Sequence, residues 1–199
     1  MAPSIPVEFY FNFRSPYCYL VSRRIWDLFE DFPVQVLWRP LGGWSGRSDP
    51  ERAKVKIPLA RQDIKRWAEK LDLPMVPPPP ETDPTHAGAV SLLAERQGCL
   101  KEYMVTVMHA AWGAGKDIGD LDVLCDVAAG IGMEPAAVSQ AATDPENQRL
   151  LTANAAIAAQ KGIFGVPTFA VGDQYFWGND RLDFLRDHLM RLQQQNVAE

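Results

Sequence analysis

The stretch that decides the fold is VEFYFNFRSPYC, residues 7–18. Its first half is rich in aromatic and β-branched side chains and nearly alternates apolar with polar types, which predicts a strand over residues 7–13. Ser15 followed by Pro16 is typical of a helix start, because serine is a preferred N-cap and proline is favoured at the first helical position. Apolar residues then recur at helical spacing over residues 20–29. A strand therefore runs directly into a helix.

Two further patterns complete the sheet. The segment VQVLW, residues 34–38, follows a proline and predicts a second strand, which should lie parallel to the first because a helix joins them. Near the C-terminus, TFAV (168–171) and YFW (175–177) flank a short glycine-containing turn, which predicts a β-hairpin. A last helix should begin at residues 179–180, since leucines follow at helical spacing.

The middle of the chain is different, because its Ala- and Leu-rich segments predict helices. The predicted helical segments are 63–71, 87–97, 100–112, 121–129, 135–142 and 145–161. Between the first two lies a proline-rich run, residues 73–84, that we expect to be an extended loop. We interpret this run as a rigid spacer, with the wall of a binding cleft as the alternative.

A sheet built from both ends of the chain, with helices inserted between, is the plan of a thioredoxin fold. The sequence therefore predicts an α/β protein with a thioredoxin-like fold and a large all-helical insertion. Residues 1–40 and 162–199 would form the thioredoxin-like domain, and residues 41–161 the inserted helical domain.

Composition and charge exclude several classes of function. The 199 residues carry a formal net charge of −5 and show no basic stripe, which argues against a nucleic-acid partner. No segment reaches the roughly 18 uninterrupted apolar residues of a membrane span, and the first residues lack a signal-peptide pattern. The three cysteines are widely spaced and the three histidines lack metal-ligand spacing. We expect a cytoplasmic protein that binds no metal and no membrane.

Ser15 is the candidate catalytic residue. It stands where a strand gives way to a helix, the position of the reactive cysteine in thioredoxin-like proteins. Its hydroxyl cannot exchange disulfides, but it can donate a hydrogen bond to the thiolate of another molecule. The simpler interpretation is an N-cap alone. Cys18, one helical turn later, is more typical of a small buried hydrophobe than of a reactive thiol.

Two other places can bind a ligand. Val166 precedes Pro167 at a strand start; a cis proline there would leave the Val166 backbone free to pair with an extended peptide, although a simple strand-start proline is the alternative. In the run 177–180, Asp180 is expected to be an N-cap. Alternatively, backbone amides there hold a carboxylate while Asp180 holds an ammonium, which together describe an amino-acid-like zwitterion.

Taken in order, these motifs resemble the 2-hydroxychromene-2-carboxylate isomerase family, which is related to the kappa-class glutathione transferases. The resemblance extends over nearly the whole chain. It is carried by FYFNF (9–13), SPY (15–17), Arg39-Pro40, Ala111-Trp112-Gly113, FGVPTF (164–169) and FWGNDRL (176–182).

The resemblance implies a homodimeric enzyme of aromatic hydrocarbon breakdown that acts on a small aromatic substrate and uses glutathione as its cofactor. It assigns catalysis to Ser15 and the contact with the cysteinyl group to the Val166 backbone. The glutamyl group would be held by Trp177, Gly178, Asn179 and Asp180. Arg47 is the candidate for a basic contact to a glutathione carboxylate, with a solvated loop arginine as the alternative, because the loop after the second strand departs from the family pattern. The family also often has a second serine where Cys18 stands.

The implied reaction isomerises 2-hydroxychromene-2-carboxylate to trans-o-hydroxybenzylidenepyruvate through reversible addition of the glutathione thiolate. Lowering a thiol pKa from about 8.5 to about 6.5 requires roughly 2.7 kcal/mol. A hydrogen bond to a charged acceptor supplies about 1.5–3 kcal/mol, and a helix N-terminus about 0.3–2 kcal/mol. Four aromatic residues are candidates to line the substrate pocket, with plain core as the alternative: Phe13, Trp44, Trp112 and Phe164.

Three other functions remain open at this point. A kappa-type glutathione transferase or peroxidase would share the glutathione site and act on other electrophiles. A binding module would hold extended peptides without catalysis. A thiol–disulfide oxidoreductase would act through Cys18, but the first cysteine of the usual pair is absent.

Overall fold

A computed structural model describes residues 4–43 and 50–198 of the chain. Its sheet has four strands in the order β2-β1-β3-β4. Strand β1 pairs parallel with β2, while β3 runs antiparallel to both β1 and β4. The strands are β1 (Ile5–Phe11), β2 (Val34–Pro40), β3 (Thr168–Val171) and β4 (Gln174–Trp177). The described strands come from both ends of the chain: β1 and β2 from the first 40 residues, and β3 and β4 from residues 168–177. This arrangement confirms the predicted thioredoxin-like fold.

Most of the chain between the strands is helical, and none of the described helices is long and apolar enough to cross a membrane. A π-helical turn, His109–Gly113, follows α5, and a 3₁₀ turn, Asn179–Arg181, precedes α9. The α-helices are α1 (Pro16–Ser22), α2 (Ile25–Asp31), α3 (Pro50–Lys70), α4 (Thr85–Arg96), α5 (Leu100–Met108), α6 (Leu121–Ala129), α7 (Pro135–Thr143), α8 (Pro145–Gln160) and α9 (Leu182–Ala198).

Two helix boundaries differ from the prediction. Helix α3 begins at Pro50, well before residue 63, and the described residues of its first half are mostly exposed. The helix predicted after Ser15 is two helices, α1 and α2. The Trp26 indole donates to the Ser22 carbonyl at 3.0 Å, and the Arg24 amide bonds to the Val21 carbonyl three residues back. The regular four-residue ladder is thereby interrupted.

An aromatic core joins the sheet to the inserted helices. Phe9 stacks on Phe169 with ring centroids 4.4 Å apart, and its ring meets Trp38 edge to face. Phe13, just beyond β1, packs edge to face on Tyr103 of α5. These contacts fix the end of β1 from two sides, and they thereby fix the position from which the chain continues to Ser15.

Candidate functional site

Ser15 caps α1, as the sequence predicts. Its backbone is extended, and its hydroxyl oxygen accepts a hydrogen bond from the Cys18 amide at 3.3 Å. The same hydroxyl donates to the Val166 carbonyl at 3.2 Å, a contact between residues 151 positions apart. The fold thus brings together Ser15 and Val166, two of the residues proposed from the sequence.

The loop before β3 faces α1 through a cis peptide bond between Val166 and Pro167. Among the residues that the structure describes, the Val166 amide N–H has no hydrogen-bond partner. The Pro167 carbonyl accepts from the Gly178 amide at 2.9 Å. This bond ties the cis-proline loop to the run 177–180, so both segments hold a fixed position relative to Ser15.

Two exposed aromatic rings flank the cis-proline loop. Phe164 is 72% exposed and Trp177 is 51% exposed, and their rings meet edge to face with centroids 4.6 Å apart. Gly165 lies directly under Trp177, since a Cβ at that position would come within 2.6 Å of the indole nitrogen. Gly178 adopts a positive φ of 111°, a conformation that favours glycine. The two glycines shape this edge of the site.

The sequence prediction that Asp180 is an N-cap is wrong. Asp180 lies inside the 3₁₀ turn, whose N-cap is Gly178 and which has no side-chain capping bond. The Asp180 carboxylate forms an exposed ion pair with Arg181 at 2.6 Å. Asn179, in contrast, is buried, and its side-chain nitrogen has no partner in the described part of the chain.

Tyr17, two residues after Ser15 in the first turn of α1, is bonded to Asp63, a pair that the sequence analysis did not identify. The Tyr17 hydroxyl donates to the Asp63 carboxylate at 2.9 Å. Burial, this hydrogen bond and the nearby charges of Asp63 and Asp180 raise the pKa of Tyr17, so the phenol stays protonated at neutral pH. No sequence signal identifies this pair, because it depends on how α3 packs against α1.

The turn before Ser15 is bonded to three separate segments. The side-chain Nδ2 of Asn12 donates to the Leu41 carbonyl at 2.6 Å, and the Trp112 indole donates to the Phe13 carbonyl at 3.1 Å. The Arg14 guanidinium donates to three carbonyls of the proline-rich segment. As predicted, residues 73–84 contain neither helix nor strand, and α4 begins at Thr85. The segment is not extended throughout, because the Thr82 amide donates to the Pro79 carbonyl at 3.1 Å and closes a turn.

The remaining predicted residues are dispersed. Phe13 is fully buried in the core and cannot line a pocket, because its ring packs against Phe11 and Tyr103. Trp112 is partly buried beside the turn before Ser15, whereas Phe164 is exposed at the cis-proline loop. Arg47 and Trp44 lie outside the described residues.

Two open clefts lie away from Ser15. A cleft of about 400 Å³ is lined by residues including His86 and Gln148, and a second cleft of about 230 Å³ includes Arg39 and Glu95. Neither cleft includes Ser15 or Val166. Within residues 4–43 and 50–198, no group of histidine, cysteine, aspartate or glutamate side chains is arranged to hold a metal ion.

Cys18 is a core residue. It is fully buried, and burial raises the pKa of its thiol to about 12. The thiolate is the reactive form, so Cys18 has almost no nucleophilic character at neutral pH. The arrangement can donate hydrogen bonds to an anion, but among the described residues near Ser15 it holds no ionised thiol of its own.

This burial predicts that Cys18 does not react with an alkylating reagent in the native protein at pH 7. Cys99 and Cys125 are partly exposed and serve as internal controls. Mass spectrometry after a short exposure to iodoacetamide is expected to find label on those two cysteines before Cys18. Cys18→Ala should leave turnover unchanged in the folded protein. Rapid native labelling of Cys18 would contradict this prediction.

Comparison with known proteins supports a family assignment. The profile of the DSBA-like thioredoxin domain matches residues 6–190. A 2-hydroxychromene-2-carboxylate isomerase of Sphingobium xenophagum is 32% identical, with 92% of this chain and 97% of that protein covered. One of Pseudomonas putida is also 32% identical, with 96% and 97% covered. A solved 2-hydroxychromene-2-carboxylate isomerase superimposes with a TM-score of 0.83 at 26% identity, covering 98% of each chain.

A more distant relative is the glutathione S-transferase kappa 1 of Caenorhabditis elegans. It is 24% identical, with 96% of this chain and 94% of that protein covered. The profile match and the identities above 30% over nearly the whole length agree with the fold and with the motifs of the sequence. This chain therefore belongs to the DSBA-like thioredoxin domain family and, within it, to the 2-hydroxychromene-2-carboxylate isomerase family of enzymes.

Proposed function

We propose that this protein is a glutathione-dependent isomerase that converts 2-hydroxychromene-2-carboxylate, or a close aromatic analogue, to trans-o-hydroxybenzylidenepyruvate. The observation that carries the proposal is the position of the Ser15 hydroxyl, 3.2 Å from the Val166 carbonyl, while the nearby thiol of Cys18 is buried. A site with a donor hydroxyl and no ionised cysteine suits a thiolate that comes from a cofactor. The names of the relatives support the same substrate.

The residues present fit glutathione. The Val166 amide has no partner among the described residues, and an extended cysteinyl backbone can accept its hydrogen bond. The exposed Asp180 carboxylate suits the glutamyl ammonium, and Trp177, Gly178 and Asn179 complete the glutamyl site. Arg47 is the proposed partner of a glutathione carboxylate. When bound, glutathione supplies the thiolate that adds reversibly to the conjugated ring system and is recovered at the end of the reaction.

Ser15 must change its hydrogen bond to act on this thiolate. A hydroxyl has one proton to donate, and without a ligand that proton goes to the Val166 carbonyl. Rotation of the hydroxyl redirects the proton to the sulfur and frees the Val166 carbonyl for the cysteinyl N–H. The Cys18 amide keeps donating to the Ser15 oxygen, which polarises the hydroxyl and strengthens it as a donor.

The free energies of the two contributions attribute most of the lowering of the thiol pKa to Ser15. A hydrogen bond to a charged acceptor contributes about 1.5–3 kcal/mol, which alone covers much of the roughly 2.7 kcal/mol needed to lower the thiol pKa to about 6.5. Helix α1 has only seven residues, so its N-terminus adds at the lower end of the usual range, about 0.3–1 kcal/mol. Neither a histidine nor a metal is required.

A second candidate is a kappa-type glutathione transferase or peroxidase that acts on other electrophiles. The similarity to a kappa-class transferase favours it. Ser15, Val166 and Asp180 would serve both functions, so these residues do not separate the two candidates. The two candidates differ in what happens to glutathione, because a transferase or a peroxidase consumes it and an isomerase does not.

The decisive experiment follows the isomerisation of 2-hydroxychromene-2-carboxylate by ultraviolet absorbance with and without glutathione. We expect turnover only when glutathione is present, with the total free thiol unchanged after many turnovers. S-methylglutathione should inhibit competitively with glutathione, since it occupies the same site without a free thiol. Stoichiometric loss of thiol would favour the transferase or the peroxidase, and full activity without glutathione would contradict the proposal.

A further inference from the structure

The proline-rich segment 74–82 is irregular but firmly held along its length. The Tyr19 hydroxyl donates to the Pro74 carbonyl at 3.1 Å, and the Val76 amide donates to the Trp112 carbonyl at 2.7 Å. Trp112 is itself bonded to the Phe13 carbonyl, two residues before Ser15. A spacer between two helices needs only its ends fixed, whereas this segment is bonded at its start and along its middle.

Arg14 makes the strongest attachment. Its Nη1 donates to the carbonyls of Pro79 at 3.2 Å and Thr82 at 3.0 Å, and its Nη2 donates to the Pro80 carbonyl at 2.6 Å. A guanidinium is planar and holds several acceptors in a fixed geometry, which a lysine ammonium does not do. One arginine side chain therefore sets both the position and the orientation of residues 79–82.

The same turn fixes Arg14 and Ser15 relative to each other. The Arg14 amide donates to the Asn12 side-chain oxygen at 2.7 Å, and the Ser15 amide donates to the Asn12 carbonyl at 3.1 Å. Asn12 is buried and donates in turn to the Leu41 carbonyl at 2.6 Å. A rigid link thus runs from the Ser15 hydroxyl through Arg14 to the proline-rich segment.

Apart from Glu81, the exposed residues of the segment are apolar. Val76 is 49% exposed, and Pro77 and Pro80 are also exposed. Proline has no backbone N–H, so this face has little polar surface to satisfy. Val76 and the prolines therefore offer a surface that suits the flat hydrocarbon part of an aromatic ligand.

We propose that segment 74–82 is the wall against which the aromatic ring system of the substrate packs, and that Arg14 is the positioning residue that holds this wall beside Ser15. The inference rests on the proposed function, because it assigns the substrate side of the same site. The proposed glutathione contacts, Val166 and Asp180, are not among the residues to which the segment is bonded, so loss of the wall is expected to affect the aromatic substrate alone.

The test replaces Arg14 with methionine, which has a similar apolar stem and no guanidinium. We expect the KM for the chromene carboxylate to rise about tenfold, because the wall moves away from the reacting atoms. The Kd of glutathione and the rate at which iodoacetamide alkylates bound glutathione should stay unchanged. Arg14→Lys keeps the charge but not the planar donor set, and its KM should lie between those of Arg14→Met and the wild type. Arg149→Met, at an exposed ion pair on α8, is the matched control.

Val76→Ser provides a second variant that does not threaten the fold, since Val76 is exposed. It should also raise the KM for the aromatic substrate without changing the alkylation rate. A wild-type KM in both variants, or a loss of thermal stability with KM intact, would overturn the inference while the proposed function stands. A wild-type protein without glutathione-dependent turnover would overturn both.

Discussion

Ser15→Ala is expected to raise the pKa of the bound glutathione thiol by about one to two units, because the donor to the thiolate is lost. The thiolate fraction at pH 7 then falls, and turnover should drop roughly three-fold for a shift of one unit and roughly twenty-five-fold for a shift of two units. Since the wild-type rate rises with pH as the thiol ionises, a higher pKa shifts the profile to alkaline pH and some activity returns there. The ultraviolet absorbance of the bound thiolate, titrated against pH, measures the shift directly.

Two controls separate this effect from the loss of a helix cap. Removing the cap alone costs about 1 kcal/mol of unfolding free energy and leaves the pH profile intact in the folded fraction. Ser15→Thr keeps a hydroxyl at the same position and should retain most of the thiolate stabilisation. The Kd of glutathione should change less than the rate, because Val166 and the run 177–180 hold the peptide. Identical thiol titrations of the wild type and Ser15→Ala would show that Ser15 is only a cap.

The second large effect is expected for Asp180→Asn. If Asp180 holds the glutamyl ammonium, loss of the charge should weaken glutathione binding by about 1–3 kcal/mol, or roughly five- to 150-fold in Kd. The carboxylate is available because its present partner, Arg181, forms an exposed ion pair, and such pairs contribute little to stability. Quenching of tryptophan fluorescence, with Trp177 next to the site, reports the binding.

Asp183→Asn is the matched control. Asp183 is an exposed carboxylate in the first turn of α9, three residues after Asp180, so the substitution removes the same charge from the same region. We expect it to leave the Kd of glutathione close to that of the wild type. Equal weakening by both substitutions would indicate a general charge effect, and an unchanged Kd in Asp180→Asn would remove Asp180 from the binding site.

The features that could be predicted from the sequence are those that depend on residues close to one another along the chain. The strand before Ser15, the cap by Ser15 and the hairpin around Gly172 each follow from local preferences, and the structure contains them. The approach of Val166 to Ser15 could be predicted only through the resemblance, because 151 positions separate the two residues.

Features set by packing between distant segments could not be predicted. The Tyr17–Asp63 bond depends on how α3 lies over α1, and the attachment of Arg14 depends on the path of a loop without regular structure. In each case a long polar side chain has many acceptors within reach, and only the tertiary fold selects one of them.

The inert thiol of Cys18 has a consequence for resistance to oxidative damage. An enzyme whose nucleophile is its own ionised cysteine is inactivated once that sulfur is oxidised to the sulfonic acid. Here the only thiol next to Ser15 in the described chain is buried and protonated. In the proposed reaction the sulfur that can be oxidised belongs to glutathione, which dissociates from the protein. Peroxide would therefore oxidise glutathione, which is exchanged for a new molecule, and leave the polypeptide active. The rate in the cell would then follow the supply of reduced glutathione rather than the age of the protein.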